Sequence, residues 1–148
     1  MSNLILLNNL TTSEKDSPER AIAQAHTFTA LRTLDGPRMG ILLQFLKEAR
    51  LIDRDRNVIS LYGINLNKAN LSGVDLSDTC LSGVYLREAE LFNANLSNAD
   101  LSYSVLERAE LFNVNLSNAD LSYSVLVRAE LLEADLSNTN LRNADLTD

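Results

Sequence analysis

Residues 89–123 read AELFNANLSNADLSYSVLERAELFNVNLSNADLSY, a stretch in which leucine falls on every fifth position. Followed in both directions, the pattern runs from Leu61 to Leu146 without a miss, eighteen rungs in all. Two residues before each leucine stands a small or β-branched residue, and nine of these are Ala. A helix advancing about 100° per residue would scatter such leucines around its axis, and a flat strand would send them to alternate faces. The chain must therefore turn every five residues. Residues 89–103 and 109–123 differ at one position in fifteen, Ala94 against Val114, so a second period of twenty lies over the first. Four fives close one coil, and a coil that stacks on its own copy twenty residues later is a solenoid with leucine inside. The small residue fits beside the corner, where a larger one would collide.

The repeat, (A/V/T/S)(D/N/E)L(S/x)(N/x), resembles the pentapeptide-repeat family over residues 58–148. That resemblance implies a right-handed quadrilateral parallel β-helix, mainly β, of about four and a half coils. With an N-terminal helical hairpin in front, the chain resembles the cyanobacterial-type members. The resemblance implies a fold and not a shared activity. A small subset of members are acidic inhibitors of DNA gyrase that imitate a DNA duplex, and others are thought to bind proteins.

Upstream of the rungs, residues 1–16 form an apolar arm and a polar linker. The arm, with Leu4, Ile5, Leu6 and Leu7, either pairs as a strand or stays free. Ser17, Pro18 and Glu19 are an N-cap, a preorganised first turn and an acid at the positive end of the helix dipole. A helix is predicted to Leu34 with an apolar stripe of Ala21, Ala25, Phe28, Leu31 and Leu34; His26 lies off it. Asp35 and Gly36 stop it, and Pro37 opens a second helix that turns Ile41, Leu42, Phe45, Leu46 and Ala49 to one side and ends near Arg50. Residues 17–57 are thus expected to be a helical hairpin capping the first coil. The run Asp53 to Asn57, with alternating and cancelling signs, reads as a solvated connector. Val58, Ile59 and Ile64 put bulkier residues into the first rungs, as suits a coil that meets a cap.

Residues 1–57 carry eight basic against seven acidic residues, and residues 58–148 carry five against thirteen, so the acidity (net −8) belongs to the solenoid. An acidic surface disfavours nucleic acid and anionic lipid and suits basic partners or solubility. One cysteine, Cys80, excludes an internal disulfide framework and fits a reducing compartment. No segment is long enough to span a membrane or shaped as a secretory signal, so a cytoplasmic location is expected. One histidine, one cysteine, no phosphate-cradling glycine loop and no metal-ligand spacing argue against an enzyme, a cofactor or a metal.

Outward positions twenty apart form vertical columns about 4.8 Å per step. The sides centred on Leu76 and on Leu61 are lined by Ser, Asn and Asp and ask for no ligand. The other two differ. Tyr85, Val105 and Val125, with Tyr103 and Tyr123 at the preceding corner, form one apolar set; Phe92 and Phe112 beside Glu110 form another. Such columns either serve a partner or stabilise the sheet across coils. Charges at the intervening corner are expected to pair from coil to coil, Arg87 on Glu107 and Glu88 on Arg108. The sequence predicts a non-catalytic protein–protein interaction module or scaffold that binds an unidentified protein through Tyr85, Phe92, Tyr103, Val105, Glu110, Phe112, Tyr123 and Val125. The alternative is an acidic DNA mimic that inhibits a DNA-binding enzyme such as gyrase, although Phe92, Phe112, Arg108 and Arg128 interrupt its acidic region. A weak homodimer is expected through the C-terminal coil, with Leu141 and Leu146 at its edge.

Overall fold

The structure, a computed structural model, describes residues 9–147. Four turns make each coil, and parallel bridges join residues twenty apart, from Asn65 with Tyr85 to Val125 with Asp145. We number the sides by their leucines: side I holds Leu61, Leu81, Leu101, Leu121 and Leu141, side II starts at Leu66, side III at Leu71 and side IV at Leu76. Every rung leucine from Leu61 to Leu126 is no more than 2% exposed, so the interior is a leucine column walled by Ala and Val.

The five-residue period is made by a hydrogen-bonded turn on each rung, with the Thr79 hydroxyl taking the place of the backbone donor on the Leu76 rung. Ile64 N donates to Leu61 O at 3.0 Å, and the same bond recurs to Ala144 N with Leu141 O at 3.0 Å. The third residue of each turn, from Gly63 to Asn143, has a positive φ, where type II turns place one. Asn and Gly tolerate that geometry best, and they hold nine of these corners. Between turns only one residue per side is extended enough to pair, so the sheets are single bridges rather than long strands. The mainly β expectation is met in hydrogen bonding and not in strand length.

The Asn or Asp before each leucine has a local task. Its carboxyl or amide oxygen accepts from the N–H two residues on, as in Ser77 to Asp75, Ser97 to Asn95, Ser117 to Asn115 and Ser137 to Asp135, at 2.9–3.1 Å. These Asx turns close the rung. The polar ladder of side IV is therefore mostly within the rung, and bonds along the stack come from amides, such as Asn95 Nδ2 to Asp75 Oδ1 at 3.1 Å.

Upstream, residues 9–12 are helical, and residues 1–8 of the expected arm lie outside the described residues. Helix α1 is Pro18–Thr33, capped by the Ser17 side chain, and α2 is Gly36–Glu48, capped by Asp35. The two are not packed side by side along their lengths, which corrects the hairpin; both lie on the first coil instead. Their buried faces are also rotated from the expected stripes. In α1, Thr27 and Leu31 are buried while Ala21 and Ala25 are exposed. In α2, Gly40, Leu43 and Leu46 face the coil. Ile41 and Phe45 are 71% and 49% exposed. Gly40 sets that register, because a Cβ there would lie 2.9 Å from the Asn70 carbonyl oxygen.

The same segment covers the open edge of the first coil. Cys80 N donates to Ile52 O and Arg54 N to Asp78 O, both at 2.8 Å, while Asp75 N donates to Gln44 Oε1 at 3.2 Å. Gln24 pairs with both backbone groups of Ser60. The Asp53 to Asn57 run is thus no free connector. Asp53 bridges Thr79, the Arg54 guanidinium donates to Asn98 O at 2.7 Å and Arg56 donates to Thr11 O at 2.6 Å. No helix among the described residues is long and apolar enough to cross a membrane.

One ion pair fastens α2 to side IV: the Lys47 ammonium meets the Asp75 carboxylate. Burial opposes the charge on Asp75, yet Lys47 and Ser77 outweigh it and lower the carboxyl from 3.8 to about 2. A folded pKa below the unfolded one gives stability that is full above about pH 4 and fades as pH falls through 2. Because the Asp75 side chain is 48% exposed, solvent screening leaves this at about 1 kcal/mol or less. Lys47→Met should therefore lower the urea midpoint at pH 6 and lose less further stability than wild type between pH 5 and pH 2. Parallel losses in the two proteins would contradict this assignment.

Candidate protein-binding surface

On sides II and III the residue before leucine is Asn or Asp only in the end coils, at Asn65, Asp145 and Asn70, and in the central coils it departs from them. Side II has Tyr85, Val105 and Val125 there, bridged one above the other, and side III has Glu90, Glu110 and Glu130. Valine cannot accept the closing Asx bond, worth about 1 kcal/mol net. These rungs give up a local stabilising contact for an outward side chain of another kind.

Three of the four tyrosines of the chain, Tyr62, Tyr103 and Tyr123, stand at the corner between sides I and II, and Tyr85 follows that corner on side II. All four are 44–65% exposed. Tyr103 and Tyr123 stack with ring centroids 5.0 Å apart and planes within 2°. Both occupy corners with φ of 59°, a conformation that costs a bulky residue about 1 kcal/mol. Stacking returns about as much, so the pair is close to neutral for stability and leaves its ring edges open. Tyr62 belongs to the set although the sequence reading did not include it. Its ring lies on Gly83, where a Cβ would collide with the ring. Gly83 holds the place that Tyr103 holds one coil later, and that Gly-for-Tyr exchange was the available signal.

Phe92 and Phe112 are half-buried and stand on side III, with Leu132 below them 69% exposed. The eight expected contact residues therefore form two strips rather than one. Between the strips runs a charged corner of Lys68, Glu88, Arg108 and Arg128, flanked by the Glu90 column. There Arg87 meets Glu107 at 3.1 Å as expected. Glu88 meets Lys68 of the preceding coil at 3.4 Å and not Arg108. Asn70 Nδ2 donates to Glu90 at 2.7 Å, whereas the side chains of Glu110 and Glu130 make no hydrogen bond or ion pair among the described residues.

At the far end burial falls away. Leu131, Leu136 and Leu141 are half-buried and Leu146 is 46% exposed. Among the described residues no group of histidine, cysteine and carboxylate side chains is placed to hold a metal ion.

Turns every five residues, parallel pairing every twenty and a leucine interior define a β-solenoid whose outer surface carries its distinctive chemistry. The family profile described as pentapeptide repeats matches in 8 copies, over residues 60–87, 89–122 and 109–148. The chain belongs to the pentapeptide-repeat family, whose architecture is the right-handed β-helix. Among solved structures it is similar to a pentapeptide repeat protein from the cyanobacterium Cyanothece 51142, at 33% identity over 62% of this chain and 65% of that one, with a TM-score of 0.49. It is also similar to HetL, a pentapeptide repeat protein involved in heterocyst differentiation regulation in Nostoc sp. strain PCC 7120, at 27% identity over 57% and 54%, with a TM-score of 0.33. A plasmid-mediated fluoroquinolone resistance protein matches at 20% identity over 57% and 54%, with a TM-score of 0.34. The chain thus spans 54–65% of the length of these relatives. No curated protein matches it.

Proposed function

We infer that the protein is a non-catalytic interaction module that binds a protein partner through sides II and III. One observation carries this reading: all four tyrosines of the chain stand exposed at or beside one corner, two of them at strained φ, next to rungs that forgo their Asx bonds. Stability alone would favour Asn or Gly at those corners and Asn or Asp on those rungs. Tyrosine is the residue type that interfaces enrich, being large, rigid and amphipathic. A DNA mimic requires uninterrupted rows of negative charge, and Lys68, Arg108 and Arg128 break the row here.

The partner-binding residues in this reading are Tyr85, Tyr103, Val105, Tyr123 and Val125 on one strip and Phe92, Glu110 and Phe112 on the other. Changing both Phe92 and Phe112 to Ser should cut capture of the partner from the source organism at least tenfold with an unchanged circular dichroism spectrum. Undiminished capture would move the contact to the tyrosine corner or the helices. Weak self-association through Leu141 and Leu146 belongs to the same reading. Sedimentation of the wild type beside a variant with both leucines changed to Lys checks it, and equal behaviour of the two proteins removes it.

A further inference from the structure

The exposed face of α2 and side III form one strip. Ile41, Phe45 and Glu48 line a groove of about 620 Å³ whose floor is Asn70, Ser72, Gly73 and Val74. Ser72 heads the column that continues through Phe92, Phe112 and Leu132, and Asn70 heads the column of Glu90, Glu110 and Glu130. Apart from Ser72 at its head, an apolar file thus runs from the helix onto the solenoid, with a file of carboxylates along one flank. Sequence reading had assigned Ile41 and Phe45 to the packed face, so this continuity is visible only in the structure.

We propose that this strip receives a basic amphipathic helix lying along the solenoid axis, its apolar face on Phe45, Phe92, Phe112 and Leu132 and its basic flank on Glu110 and Glu130. The proposal rests on the interaction-module reading and names the chemistry of the partner. Three features select that occupant. A partner strand would need unpaired backbone, but Leu91 N bonds Glu110 O, Leu111 N bonds Glu130 O and Glu110 N bonds Ala89 O, each at 2.8–2.9 Å, so side III satisfies itself along its own stack. Recognition falls to side chains, which is the mode of a helix laid in a groove. Spacing agrees as well: Phe92 to Leu132 spans two coil steps, about 9.6 Å, against about 10.8 Å for two helical turns. Charge supplies the polarity. Glu110 and Glu130 make no ion pair among the described residues, in a solenoid of net charge −8. The Arg108 and Arg128 corner bounds the carboxylate file on its other flank.

The test uses three synthetic peptides of about 18 residues, about 27 Å as a helix. One carries Leu at positions i, i+3, i+4 and i+7 with Lys on the flanks, one has the same composition scrambled, and one has Glu in place of Lys. Binding to the full-length protein is followed by fluorescence anisotropy. The Lys helix should bind at least tenfold more tightly than the other two. Phe92→Ser with Phe112→Ser should weaken it at least tenfold. Glu110→Lys with Glu130→Lys should do the same and raise affinity for the Glu peptide, while Ser117→Asp on side IV should leave it unchanged. Equal binding of the Lys helix and its scramble overturns the proposal, as does indifference to the charge reversal. Self-association that the Phe variant abolishes would make a second copy the occupant and equally overturn it. If the Phe variant loses its natural partner while no peptide binds, the helix inference fails and the interaction-module reading stands.

Discussion

Leu111→Asp is expected to leave the chain without a folded solenoid at ambient temperature, whereas Ser117→Asp should fold with a thermal midpoint within a few degrees of wild type. Leu111 is 0% exposed and sits between coils whose leucines are equally dry. Removing it forfeits about 2–5 kcal/mol of packing. An unpaired carboxylate in the same place adds several kcal/mol more. Domains of this size hold about 5–15 kcal/mol in total, so the two losses together reach the whole stability. Position in the array increases the damage. A solenoid is held by contacts between neighbouring coils, and a fault in a central coil uncouples both halves. Ser117 is half-buried on side IV, its hydroxyl 2.7 Å from Asn115 Oδ1, and an Asp there stays solvated. Comparable midpoints for the two variants, measured by circular dichroism, would place the leucines outside the interior.

The period of five and the period of twenty were legible because each follows from one steric demand repeated many times. Every turn needs a small residue at its end, every side needs one leucine, and no neighbouring element can override eighteen copies of the same instruction. The capping signal at Ser17 is equally local and is met, whereas Asp35, expected as part of the stop of the first helix, caps the second, which begins at Gly36. What escaped was set by single contacts between distant parts. Two overlapping apolar stripes run along α2, and only the close approach of Gly40 to the Asn70 carbonyl decides that Leu43 and Leu46 go in while Ile41 and Phe45 stay out. The charged run at 53–57 looked free because its signs cancel, yet it is the backbone of Ile52 and Arg54 that pairs with the coil, and backbone pairing leaves no mark in side-chain pattern. Of the candidate surface, the columns were predictable from the twenty-residue register. Tyr62 was missed because its ring reaches across a coil into a space that Gly83 leaves open.

Removal of residues 1–52 should convert the protein into one that dimerises or aggregates at micromolar concentration. In the intact chain the backbone of Asp75 and Cys80 is paired by Gln44 and Ile52, and Leu31, Leu43 and Leu46 lie in one core with Leu61, Leu66 and Leu71. Without those partners the first coil presents unpaired donors and acceptors around an exposed leucine layer, the condition in which parallel edges recruit another chain. Truncation also creates a new chain end, so a second variant keeps the segment in place. Gly40→Leu drives a side chain into the Asn70 carbonyl, where even a Cβ comes to 2.9 Å, and α2 must lift from the coil. Both proteins should sediment faster than wild type and bind a hydrophobic dye, the truncation more strongly. A truncated solenoid that stays monomeric and melts with the wild type would show that the helices do not serve as a cap, and would leave the exposed face of α2 as their reason for being there.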